Sequence, residues 1–316
     1  MTLQLDDLRT GLWPDRVTIM DVGPRDGLQN ESFTLSTGQK LELINALLDA
    51  GLTHIEAGSF VHPKLVPQMA DTGALFPQLP RREGVRFDAL IPNARGFDLA
   101  LAAKARRMAL VLSATEGMNR KNLNMSIAES MEIAKTLTDR ARVEGVGMRV
   151  YISVAFVCPF EGQVNPARTI EITDALFAMG VEEVCIADTI GRGSPQQVAR
   201  MFAQLGKKHD RERLAAHFHN TYDLALANTI AALQQGITLY DASIGGLGGC
   251  PFAPGATGNT ATEDLVYMLH NLGVETGLNL ERLTAITDWI REVSGKVPPS
   301  AVYRATKKPG QAPTAS

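Results

Sequence analysis

Along most of the chain, short apolar runs alternate with amphipathic stretches of helical period. Runs at residues 17–23, 54–60, 85–91, 108–113, 148–156, 183–188, 214–219 and 240–244 predict strands. Helical patterning follows at 41–48 (capped near Ser36 or Thr37 and closed by Gly51), briefly between Pro63 and Phe76, and at 96–105 and 126–143. It returns at 166–179, after Pro195, at 222–235 and at 262–272, whereas residues 115–124 read as a polar loop. Cys158-Pro159 stops the fifth strand and Gly180 the helix of 166–179.

Most of these strands are continuous apolar runs, the pattern of parallel strands covered on both faces. Eight strand-then-helix units in a stretch of about 260 residues match a (β/α)8 TIM barrel. An open doubly wound sheet is the competitor, because periodicity alone does not exclude it. No linker-like break divides the chain, which predicts a single catalytic domain over residues 1–297 with an extra C-terminal helix at 280–293. The Pro-, Ala-, Thr- and Lys-containing tail at 298–316 is expected to be disordered.

Composition narrows the functional classes. At 316 residues, 45% hydrophobic and 21% charged, this is an ordinary globular chain able to bury one large core. A formal net charge of −3 gives no reason to expect nucleic acid or an anionic membrane as partner. No apolar run approaches the roughly 18–20 residues of a membrane span. Cys158, Cys185 and Cys250 lack metal-site spacing, and the acidic N-terminal stretch has no signal-peptide or transit character. The expectation is a reducing, cytoplasmic setting.

In a barrel, polar residues at the C-terminal ends of strands need explaining, because active sites lie there. His217 and His219 are two apart on one strand and face the same way, a half-site for a divalent metal. Asp26 follows the first strand in Gly23-Pro24-Arg25-Asp26-Gly27, where it can be an anionic ligand or only a turn residue. Arg25 beside it can face an oxyanion or pair with a rim carboxylate. Glu56 interrupts the second strand and Asp188 ends the sixth; each needs a cation or a catalytic proton nearby. Residues 245–258 are too rich in glycine for helix or strand interior and predict a strand-to-helix loop close to a ligand. That loop carries the thiol of Cys250, a plausible proton donor or nucleophile, and ends at Asn259, whose amide oxygen can join the donor set. Oxygen and imidazole donors of this kind suit Mg²⁺ or Mn²⁺ better than structural zinc.

The run from Asp21 to Glu31, the His217-Phe218-His219 strand, Gly246-Leu247-Gly248-Gly249-Cys250-Pro251 with Gly258-Asn259, and the following Ala261–Tyr267 together resemble the 3-hydroxy-3-methylglutaryl-CoA lyases. The resemblance runs from about Val17 to Leu278. It implies a TIM barrel of the metal-dependent lyase and Claisen synthase group. It implies that Asp26, His217, His219 and Asn259 bind a divalent cation, Mg²⁺ or Mn²⁺. Arg25 then stabilises enolate charge, and Glu56, Asp188, His217 and Cys250 assist catalysis on an acyl-CoA substrate. A homodimer is the family-level expectation.

Two departures bear on the substrate. Where these lyases read His-x-His-Asp-Thr-Tyr-Gly, this chain has Asn220 and Asp223, and Arg192 adds a cation to the loop after Asp188. A related branched or longer 3-hydroxyacyl-CoA therefore stays open as substrate. So does a condensing acyltransferase of the isopropylmalate synthase kind, although such enzymes carry a different segment in place of Gly-Cys-Pro. A non-enzymatic acyl-CoA sensor would leave Arg25, Cys250 and the ligand set without a use.

Overall fold

The computed structural model describes residues 13–249 and 258–306. Eight parallel strands close on themselves: β1 (Thr18–Asp21), β2 (His54–Ser59), β3 (Arg86–Leu90), β4 (Arg107–Ser113), β5 (Gly147–Ser153), β6 (Glu183–Asp188), β7 (Leu214–Phe218) and β8 (Leu239–Ala242). β1 pairs with both β2 and β8, so the sheet has no edge and the open-sheet alternative is ruled out. The structure is a TIM barrel with additional C-terminal helices.

Local chemistry explains where many helices start. Ser36, Ser126 and Ser194 each cap a helix and are answered three residues on by Gln39, Glu129 and Gln197, forming reciprocal capping boxes. The helix Ile127–Glu144 ends at Gly145, held at φ +64°, a left-handed cap that glycine adopts without steric cost. Between strands and helices lies the main apolar layer, including Ile44, Phe97, Val150, Val184, Phe202 and Leu265. Leu90, Ala109, Tyr151, Cys185, Ala215 and Leu239 form a separate, smaller cluster. Near it, where a barrel usually stacks branched apolar residues, Arg149, Glu183 and Asp241 are buried.

Four expectations from the sequence need correction or addition. Residues 115–124 are not a loop, because Glu116–Leu123 is helical. The buried Asn119 makes it so: its amide takes the Ser113 N–H and donates to Met125 O and Ser130 Oγ, tying a polar helix to β4. Strand β5 stops at Ser153, since Val154 turns to φ +50°, and Val157–Cys158 pairs instead with Gly162–Gln163 in a small antiparallel hairpin. Between Pro63 and Phe76 only Thr72–Leu75 is α-helical, flanked by 3₁₀ turns at Pro67–Met69 and Phe76–Gln78. The tail expected to be disordered from Pro298 begins with a helix, Ala301–Thr306. Asp264 accepts from Ser300 Oγ and from the Ala301 and Val302 N–H groups, and Tyr303 is buried with its hydroxyl on Asp288. Residues 307–316 lie outside the described residues.

Candidate active site

The segment after β1 is a tight π-helical turn, Gly23–Gly27. Its glycines permit close packing: a Cβ on Gly23 would lie 2.7 Å from Asp21 Oδ1, and one on Gly27 would lie 2.6 Å from Ser243 Oγ. Asp21 holds the turn from below, accepting from Gly23 N at 2.8 Å and from Thr262 Oγ1 at 2.7 Å. Pressed against the barrel in this way, the turn aims Arg25 and Asp26 at the lumen.

Arg25 is the hub. Its Nε and NH2 meet Glu56 Oε2 at 2.5 Å, and its NH1 meets Asp26 Oδ1 at 2.6 Å. Burial disfavours the guanidinium charge, but Glu56 and Asp26 more than offset it and hold Arg25 protonated. Burial pushes Glu56 up to about 7 against the pull of Arg25. For Asp26 burial is outweighed by Arg25 and the two histidines, which keep its carboxyl far below the usual range.

Asp26, His217 and His219 each offer a ligand atom within 4.8 Å of the others. The histidine rings lie 5.1 Å apart, as strand alternation requires of residues two apart on β7 and its extension. Asn259 joins them: its Nδ2 donates to Asp26 Oδ2 at 2.9 Å and to Leu247 O at 3.1 Å. Two buried atoms here, His219 Nδ1 and Asn259 Oδ1, have no hydrogen-bond partner among the described residues. Buried polar atoms are normally satisfied, so two orphaned atoms beside a carboxylate are what a cation site presents. The donors are nitrogen and oxygen, and the residues present fit a divalent cation.

Asp188, at the end of β6, is gripped by its own loop. Arg192 N donates to Oδ1 at 3.1 Å and Gly193 N to Oδ2 at 2.9 Å. Burial nevertheless raises its carboxyl to about 6. Cys250 lies outside the described residues, and the structure says nothing of its place. Six of the eight predicted residues thus form one contact network, and Asp188 adjoins it through the electrostatic field of His217.

Sequence reasoning missed two neighbours. Tyr151 stands edge-on to His217 at 6.1 Å, with Arg25 at 5.9 Å over its ring and its hydroxyl unpartnered among the described residues. Asp241 accepts from His217 Nδ1 at 3.2 Å. Both sit in strands that read as apolar, and only the inward face of an assembled barrel singles them out. The departures at the rim are local. Asn220 accepts from Ala225 N at the start of the helix Ala225–Leu233 and donates to Asp223 Oδ1 at 3.2 Å, so its amide serves the loop. Asp223 is exposed and left-handed at φ +57°. Arg192 lies 5.9 Å above the Tyr222 ring.

The HMGL-like family model matches residues 16–290. The mitochondrial hydroxymethylglutaryl-CoA lyase of Bos taurus is 44% identical over 298 residues, covering 94% of this chain and 92% of that protein. The crystal structure of the Bacillus subtilis HMG-CoA lyase superposes with a TM-score of 0.91 at 43% identity, covering 94% of this chain and 99% of that one. An HMG-CoA lyase from Acinetobacter baumannii, solved with coenzyme A and 3-methylmalate, gives a TM-score of 0.89 at 35% identity over 95% of this chain and 98% of that one.

Proposed function

Because the chain belongs to the HMGL-like family, we propose the following reading of its site. The protein is a hydroxymethylglutaryl-CoA lyase, cleaving 3-hydroxy-3-methylglutaryl-CoA to acetyl-CoA and acetoacetate. The observation that supports the chemistry is the contact between the Arg25 guanidinium and the carboxylate of the Asp26–His217–His219 cluster, at one end of the barrel. A carbon–carbon lyase needs both charges side by side, one for the alkoxide that forms and one for the enolate that leaves.

Asp26, His217, His219 and Asn259 would hold the cation, Mg²⁺ or Mn²⁺. When bound, it supplies Lewis acidity that eases deprotonation of the tertiary hydroxyl. The hydroxyl proton passes to His217 or to a nearby carboxylate, Asp188 or Glu56. The electron pair left on oxygen forms the acetoacetate carbonyl as the C2–C3 bond breaks, and the bonding pair leaves as the acetyl-CoA enolate. Arg25 faces that enolate, with Glu56 holding the guanidinium in place. Cys250, as a thiol, returns a proton to C2 and completes acetyl-CoA; ordinary thiols are mostly protonated at neutral pH.

A related 3-hydroxyacyl-CoA is the second reading, favoured by the exposed Arg192, Tyr222 and Asp223 at the rim and by the 3-methylmalate bound to the Acinetobacter protein. The coenzyme A moiety is common to both readings. A homodimer, checked by sedimentation, and a cytoplasmic location, checked by fractionation, complete the proposal. No helix among the described residues is long and apolar enough to cross a membrane.

The deciding experiment is turnover of 3-hydroxy-3-methylglutaryl-CoA with Mg²⁺ or Mn²⁺, assayed as acetoacetate, beside Cys250→Ala and His219→Ala. Metal-dependent cleavage lost in both variants is the expected result. An inert, metal-loaded wild type sinks this substrate and turns attention to longer acyl chains.

A further inference from the structure

A buried ion pair in the barrel lumen takes no part in the proposed chemistry. Arg149 on β5 and Asp241 on β8 are both buried, and Arg149 NH2 donates to Asp241 Oδ1 at 2.6 Å. Arg149 is braced in turn by Glu183 Oε1 at 3.1 Å, its register neighbour on β6, and lies 4.6 Å from the Tyr151 ring centroid. The second oxygen, Asp241 Oδ2, accepts from His217 Nδ1 at 3.2 Å and from Cys185 Sγ at 3.7 Å. Asp241 and His217 are register partners across β8 and β7, so the sheet itself sets them side by side.

We infer that Asp241, backed by Arg149, is a positioning residue that holds His217 as its Nδ1–H tautomer and presents Nε2 to the cation site. A carboxylate only accepts hydrogen bonds, so the proton of a neutral His217 must sit on Nδ1. The lone pair is then on Nε2, the form in which an imidazole can ligate. Other acids in the lumen behave differently. Asp88 and Glu183 pair with Arg86 and Arg107, and neither contacts His217 or His219. Placing a buried pair at His217 where barrels usually stack apolar residues is a poor route to stability, since an ion pair in a dry interior often gains less than apolar packing. Fixing one ring orientation is what the pair achieves instead. With Nδ1–H on Asp241 and Nε2 turned to the cation, His217 has no free lone pair, and the substrate hydroxyl proton goes to Asp188 or Glu56.

The inference rests on the cation site of the proposed function but not on the substrate, and its test uses neither turnover nor CoA. In metal-free wild type above pH 8, long-range ¹H–¹⁵N correlation of the His217 ring, assigned against His217→Gln, should show Nδ1 protonated and Nε2 bare. A proton on Nε2 overturns the inference without any variant at Asp241. Mn²⁺ affinity, read from the EPR signal of free ion, should fall about 10- to 100-fold in Asp241→Asn, whose amide can donate to Nδ1 and release the tautomer. A folded Asp241→Asn with wild-type affinity overturns it, as does an equal loss in Asp88→Asn, which would mean general loosening. If tautomer and affinity behave as stated while 3-hydroxy-3-methylglutaryl-CoA is not cleaved, only the substrate reading falls.

Discussion

Gly258→Ala is the sharpest test of how the glycine-rich connection holds Asn259. A Cβ on Gly258 would lie 2.3 Å from Gly248 O, 2.9 Å from Gly248 C and 3.1 Å from Gly249 C. All three atoms are backbone, so no rotamer change relieves the contact. The strand-like link between the two arms, Gly258 N to Gly248 O at 3.0 Å, must open by about 1 Å to reach ordinary contact distance. Asn259 is the next residue, and its amide touches both Asp26 and Leu247. At a ligand of the proposed cation site, a displacement of about 1 Å costs roughly hundredfold in rate, or about 2.7 kcal/mol. The assay is kcat for acetoacetate formation together with the Mn²⁺ dissociation constant, both expected to worsen. Gly249→Ala is the matched control: its Cβ meets nothing within 4 Å among the described residues, and activity should stay within about twofold of wild type. A Gly258→Ala protein with wild-type kcat and Mn²⁺ affinity refutes the reasoning.

Three further outcomes are expected. Arg25→Lys cannot span Glu56 and Asp26 with one ammonium, so kcat should fall about 10²–10³-fold with a smaller change in KM; a variant altered only in KM would assign Arg25 to ground-state binding. Asp264→Ala removes the acceptor for Ser300 Oγ and for the Ala301 and Val302 N–H groups, and should lower stability by about 1–2 kcal/mol in thermal unfolding while leaving kcat unchanged. Glu263 is buried, which raises its pKa from 4.5 to about 7 although Gly245 N and Thr287 Oγ1 donate to it. Its folded-state pKa lies above the unfolded value, so the contribution of Glu263 to stability is full below pH 4.5 and is lost as pH rises through 7. Glu263→Gln mimics the protonated acid, and its melting temperature relative to wild type should climb across that window; a pH-independent difference would show that Glu263 is ionised throughout.

Features carried by neighbouring residues were legible in the chain. Ser36, Ser126 and Ser194 start helices by bonds spanning three residues, so the local sequence announces them. The Gly23–Gly27 turn, the alternate-residue pair His217 and His219, and the glycines leading to Asn259 are likewise short-range patterns, and five candidate residues drawn from them, Arg25, Asp26, His217, His219 and Asn259, meet in one network with Glu56. Where a polar segment carried no apolar period, the reading failed. Glu116–Leu123 is a polar helix because Asn119 finds partners in β4 and in the next helix, and Ala301–Thr306 is ordered because Asp264 and Asp288 anchor it.

Strand period, turn residues and caps are local energies, and the sequence by itself determined eight βα units and the rim motifs through them. Only the closed barrel decided that Arg149, Tyr151, Asp241 and His217 share one lumen. These residues lie on three strands far apart in the chain, and what brings them together is strand register and curvature. The cost of burying a charge is set by what stands opposite it, and no stretch of sequence contains that information until the sheet has closed.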